Sequence, residues 1–236
     1  MWLFTSGITF EDLSAKIAAI LIVVFITLPL HEIVQGLVAD KLGDSTAKYN
    51  GQLTLNPLLN FDIIGAISVI ICGFGWSKPM PISPVRMKDY RRGVILISLT
   101  GPVTHFLSAI VCNFIVELLY CLPMTSAQMQ NVSPLWCLGV VLVFLSNINV
   151  CLGTINLLPL PPMDGFNILH QFAGNKFNRW YYSNFQMINR ASTIILLVLF
   201  FMPELTGGML DPLGILIAWV SNIISLATAW VPAVFG

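Results

Sequence analysis

The chain has 236 residues, 56% of them apolar and only 9% charged, with a mean hydropathy of +0.84. A soluble chain carries about 25% charged residues, so the composition excludes a water-soluble globule and describes a single integral membrane domain over residues 1–236. Eleven lysines and arginines balance eleven acids, which leaves no electrostatic case for nucleic acid or an acidic polymer as partner.

The N-terminal segment MWLFTSGITFEDLS lacks a basic n-region and a small-residue cleavage pattern, and is expected to stay attached. A span needs about 20 predominantly apolar residues. Runs 13–39, 93–121, 135–158 and 210–231 meet that length or nearly so, and a fifth, 191–202, spans if tilted or extended into its flanks. The expected fold is therefore an all-α polytopic membrane protein with about five transmembrane helices. Residues 51–62, GQLTLNPLLNFD, alternate Leu53 and Leu55 before Asn56-Pro57 and read as a short edge strand and turn beside the site. The run 63–74 is too short to cross, and its glycines and following prolines (GWSKPMPISP) point to a re-entrant segment or β-hairpin.

If that run does not cross, Lys41, Lys48, Lys78, Arg86, Lys88, Arg91 and Arg92 share one side with Lys176, Arg179 and Arg190. The loops MTSAQMQNVS and PELTGG carry no lysine or arginine. The positive-inside rule then makes the basic side cytoplasmic in a multi-pass protein of the cell membrane, and brings His31 toward that side. Trp2, Trp76, Trp136, Trp219 and Trp230 sit near segment ends, as an aromatic belt would. Cys72, Cys112, Cys121, Cys137 and Cys151 show no CxxC spacing and read as small buried hydrophobes, with Cys121 and Cys137 flanking one loop.

Residues 31–35 read HEIVQ, well inside the first apolar run. Ionisable groups at that depth are costly and usually functional. Positions 31 and 35 share a helix face, so both can address one ion while Glu32, a quarter turn away, reaches a water on it. In HExxH the two histidines bind zinc and the glutamate is the general base; here Gln35 replaces the second histidine. A second constellation closes the run 135–158: NLLPLPPMDG, residues 156–165, whose prolines break the helix and present Asp164. Asp164 is a candidate ligand, with capping of the next helix as its alternative.

The HE pair, GQLTLNP, GFGWSKPMPISP, GPVTHFLSA and NLLPLPPMDG, in that order, resemble the site-2 protease family of intramembrane zinc metalloproteases, in its compact form without a PDZ domain. The resemblance implies Zn2+ as cofactor, His31 and Asp164 as metal ligands, Glu32 as catalytic base, and Asn156 as a support for the Asp164 loop. It implies a transmembrane protein as substrate, unwound locally and received at the GQLTLNP and GFGWSKPMP region by β-addition. Two positions depart from the family pattern. Gln35 stands for the second histidine, and His105 stands for the asparagine of GPxxN.

One imidazole is thus missing from the first helix and one is gained on another, which makes His105 the expected third ligand, with Gln35 hydrogen-bonding substrate or water. Two alternatives stay open: Gln35 ligates through its amide oxygen, or His105 is a neutral histidine satisfied by a carbonyl or by Asn149 in a catalytically inactive, client-binding relative. A transporter reading lacks paired broken-helix symmetry. His170 is expected at the interface, and Asn147 and Asn149 in interhelical hydrogen bonds.

Overall fold

The structure is a computed structural model that describes residues 10–54, 56–121 and 134–235. The first nine residues with Trp2, then Leu55, and the loop MTSAQMQNVS lie outside the described residues. Helix α1 (Phe10–Ile22) runs through a π-helical turn (Val23–Thr27) into α2 (Leu28–Leu42). Pro29 accounts for the wider turn. Its ring crowds the carbonyl four residues earlier, and a bond from the Leu28 N–H to the Val23 carbonyl lets the helix absorb this without ending.

Helix α2 stops at Gly43, whose φ of 110° suits only glycine and whose N–H reaches the Ala39 and Asp40 carbonyls. Asp44 follows and is buried. Its carboxylate accepts from the Thr46 hydroxyl and N–H and from the Ser83 N–H, which starts α3 (Thr46–Tyr49) and ties the segment around residue 83 to the end of α2. Burial pushes the Asp44 carboxyl up, but these hydrogen bonds and the Arg86 charge outweigh it and hold it below the usual carboxylate range.

The run after residue 62 turns back, and its outward arm is a helix. Helix α4 (Ile63–Cys72) is capped by the Asp62 side chain, which accepts from the Gly65 N–H, and ends at Gly73 with φ 77°. A return without regular secondary structure follows over 74–83. Arm and return touch backbone to backbone. A Cβ on Gly65 would stand 1.9 Å from the Trp76 carbonyl oxygen, and one on Gly75 would stand 2.2 Å from that of Gly65. Among the described residues there is no strand, so the edge strand expected over 51–62 is not found. Asn56 instead accepts from the Leu58 N–H and caps a 3-10 turn (Pro57–Leu59), a use of Asn-Pro that competes with extended pairing.

Among the described residues, five helices are long and apolar enough to cross a membrane: Leu13–Leu42, Tyr90–Cys121, Pro134–Asn156, Phe185–Leu205 and Pro212–Phe235. Helices α5 (Tyr90–Cys121) and α6 (Pro134–Asn156) pack together most extensively, Gly153 leaving room for the Phe106 ring. Ala19, Val23 and Leu28 of the first span meet Ile148, Leu152 and Ile155 of α6 in the main core, joined by Val69 and Phe74 of the returning arm. Short helices α7 (Asp164–His170) and α8 (Asn175–Ser183) lead to α9 (Phe185–Leu205), α10 (Pro212–Leu226) and α11 (Val231–Phe235). Helix α9 buries only Ser192 and Leu196, leaving most of its apolar surface for lipid. Cys112, Cys121, Cys137 and Cys151 are free thiols.

The arm–return contact has a direct test. Gly65→Val or Gly75→Val drives a side chain into backbone and should cost about 1–3 kcal/mol or prevent folding. Gly139→Ala, where a Cβ meets nothing within 4 Å, should leave thermal unfolding in detergent unchanged or raise its midpoint slightly.

Candidate metal centre

The π turn and Pro29 lead directly into the polar part of α2, where His31, Glu32 and Gln35 are all buried. Helical spacing divides them. His31 and Gln35, one turn apart, face α5 and the start of α7, whereas Glu32 faces the return segment. The Ser77 hydroxyl lies 3.2 Å from Glu32 Oε1, and the Met80 N–H donates to Glu32 Oε2 at 2.7 Å. This explains SKPMP: Pro79 and Pro81 hold the chain extended, and the N–H between them is spent on the glutamate.

Helix α5 comes close through Gly101. A Cβ there would lie 2.5 Å from Asp164 Oδ2, 2.7 Å from His31 Cε1 and 2.9 Å from Gln35 Nε2, so three polar side chains converge on the space that the glycine leaves. One turn on, His105 is fully buried. Its Nε2 is 2.9 Å from His31 Nδ1, and its Nδ1 is 3.1 Å from Asn149 Oδ1 on α6. Asn149, also fully buried, donates through Nδ2 to the Leu145 carbonyl at 2.8 Å.

Asp164 opens α7, with Met163 as the N-cap residue, so it does not cap that helix from outside. The following glycine sets its aim, because a Cβ on Gly165 would strike the Leu157 carbonyl oxygen at 2.1 Å. Asp164 Oδ2 accepts from Gln35 Nε2 at 3.1 Å and stands 3.9 Å from His31 Nε2. Burial, and then the Glu32 charge, push this carboxyl up to about 7 against the Gln35 hydrogen bond. Such a carboxylate favours a neighbouring cation.

Asn156 closes α6 half-buried, and no hydrogen bond among the described residues links it to His31, Gln35 or Asp164. The Asp164 loop is held by its own backbone instead, through Leu158 N–H to Ile155 O and Met163 N–H to Leu160 O. His170 lies away from the centre among Phe166, Phe177, Tyr181 and Tyr182, where burial lowers its pKa. A cavity of about 330 Å³ lined by Gln35, Asp164, Tyr90, His170 and Tyr181 connects this cluster with the centre. Neither Ser77 nor the Met80 N–H was singled out from sequence. The only signal for them is the proline spacing around residue 80.

Among the described residues no three His, Cys, Asp or Glu side chains are placed to hold a metal. The convergent set beside Gly101 is one imidazole, one carboxylate and one amide. These donors still suit a divalent cation. The 3.9 Å between His31 Nε2 and Asp164 Oδ2 is too long for a hydrogen bond, and about half an ångström wider than two donors on a tetrahedral zinc, roughly 3.3–3.4 Å for bonds of about 2.0–2.1 Å.

Fold and centre together define a helical, multi-span membrane protein with a buried histidine and glutamate and a half-buried aspartate brought together among its helices. No family model matches the chain, and no solved structure matches it. Among curated proteins it is 33% identical over 156 residues, 65% of this chain and 68% of the relative, to a Bacillus subtilis (strain 168) protein named "Putative zinc metalloprotease YwhC". The chain belongs to the zinc metalloprotease family of that protein.

Gly101→Ala tests the convergence. Its methyl group would occupy the space shared by His31, Gln35 and Asp164, and should weaken zinc binding about tenfold or more while the protein still folds. Zinc content after dialysis against graded chelator checks this, and unchanged retention would contradict it.

Proposed function

We propose that the chain is an intramembrane zinc endopeptidase that cuts transmembrane segments of other membrane proteins, with its site toward the cytoplasmic face of the cell membrane. The observation that carries the reading is the placement of Glu32 beside the His31–Asp164 pair within helices long enough to cross lipid. The relationship to a zinc metalloprotease supports the chemistry. The clustering of lysine and arginine in the loops after the first span and before the last two supports the orientation.

His31 and Asp164 hold the ion, and the Gln35 amide is the nearest further donor on the same side. A bound zinc supplies Lewis acidity, polarising a peptide carbonyl and bringing the pKa of a water toward neutrality. Glu32 accepts the proton of the attacking water and returns it to the leaving amine. Ser77 and the Met80 N–H fix the carboxylate so that this transfer needs no reorientation. The substrate enters unwound, because a helix shields its own carbonyl carbons, and the non-helical return segment 74–83 is the candidate place for strand-like pairing through backbone groups not already bonded within the protein.

Two substitutions test the reading in proteoliposomes containing a transmembrane substrate. Glu32→Gln should lower cleavage by about 10²–10⁴-fold while zinc content stays at the wild-type level. Cleavage that survives this change would refute the assigned base. Gln35→His supplies a second imidazole one turn from His31 and should tighten zinc binding at least tenfold. No gain would place position 35 away from the ion.

A further inference from the structure

We propose that His105 is a positioning residue, set behind His31 rather than at the ion, and that Asn149, His105 and His31 form a relay that leaves the Nε2 lone pair of His31 facing Asp164. The inference rests on the zinc reading above for its functional meaning, but its hydrogen-bond logic stands on the protein alone.

Asn149 fixes the first hydrogen of the relay. Its Nδ2 donates to the Leu145 carbonyl at 2.8 Å, and reversing the amide would set two oxygens against each other, so Oδ1 is the atom facing His105. Oδ1 can only accept, so His105 Nδ1, 3.1 Å away, carries a hydrogen. His105 has no exposed surface, and neither of its nitrogens meets a carboxylate, so a charge on it would lack compensation. Its Nε2 is therefore a lone pair. His31 Nδ1, at 2.9 Å, must donate to it.

One consequence falls on His31. With its hydrogen on Nδ1, the neutral ring of His31 keeps its lone pair on Nε2, 3.9 Å from Asp164 Oδ2. A ring-nitrogen lone pair facing a carboxylate oxygen, once the carboxyl has given up its proton, is a cation-binding pair. A metal-bound histidine commonly donates its other N–H to a fixed acceptor, which sets ring orientation and strengthens the ligand; here that acceptor is another histidine. The other consequence falls on His105 itself. Its single lone pair is already engaged, so it has none to offer an ion. The imidazole absent from position 35 is used one layer further back.

The protein has only three histidines, which makes the test direct. Nitrogen-15 NMR of histidine-labelled, metal-free protein in detergent, with His170→Ala for assignment, should show His31 and His105 both as Nδ1–H tautomers. An Nε2–H form at either position would overturn the relay. Zinc-edge X-ray absorption on the loaded protein should count a single imidazole, and two would make His105 a ligand. His105→Leu and Asn149→Leu should each weaken zinc binding 10–100-fold, and the double variant no more than the larger single. His105→Gln, whose carbonyl oxygen can stand in for Nε2, should recover most of that loss; failure to recover it would count against positioning. A wild type without zinc would remove the proposed enzyme and leave the tautomer measurement to decide the relay.

Discussion

Polar atoms on a lipid-spanning helix must find partners inside the protein, because hydrocarbon supplies none. Helix α2 carries three such residues within one and a half turns, and each is answered from a different element. Glu32 is bound by the return segment, His31 by α5, and Gln35 by the start of α7. The rest of the architecture keeps those elements within reach. Leaving any one of these groups unpaired would cost about 1–3 kcal/mol, and more for a charge.

Glycines and prolines provide that reach. Pro29 forces the π turn that leads into His31, and Gly101 lets α5 approach the polar cluster. Gly165 lets Asp164 fold back over the end of α6, while Gly65 and Gly75 press the returning arm onto itself. From that arm, Ser77 and Met80 extend to the glutamate. Asp44 performs the matching task at the other end of the segment, where it fastens Ser83 to the end of α2.

Much of this was legible in the residues. Apolar runs located the five spans to within a few positions, except the fifth, whose flanks 185–190 and 203–205 are helical but polar or broken by proline. Short length and glycine content marked 63–74 as a segment that turns back. Its helical arm was less legible, because β-branched residues serve buried strands and short buried helices alike. The strand expected over 51–62 failed because alternation across Leu53 and Leu55 is a weak signal beside an Asn-Pro cap. His31, Glu32 and Asp164 stood out as ionisable residues within or beside apolar runs. The orientation of His105 did not, since a residue 44 positions later in the chain, Asn149, decides which of its nitrogens can donate. That pairing was one of the alternatives the sequence left open.

In the proposed enzyme a cation sits between His31 and Asp164. Anomalous diffraction at the zinc absorption edge, from crystals grown in lipid with zinc present, measures this most directly. One strong anomalous peak is expected within bonding distance of His31 Nε2 and an Asp164 oxygen. A peak only elsewhere, or no peak at full zinc exposure, would contradict it.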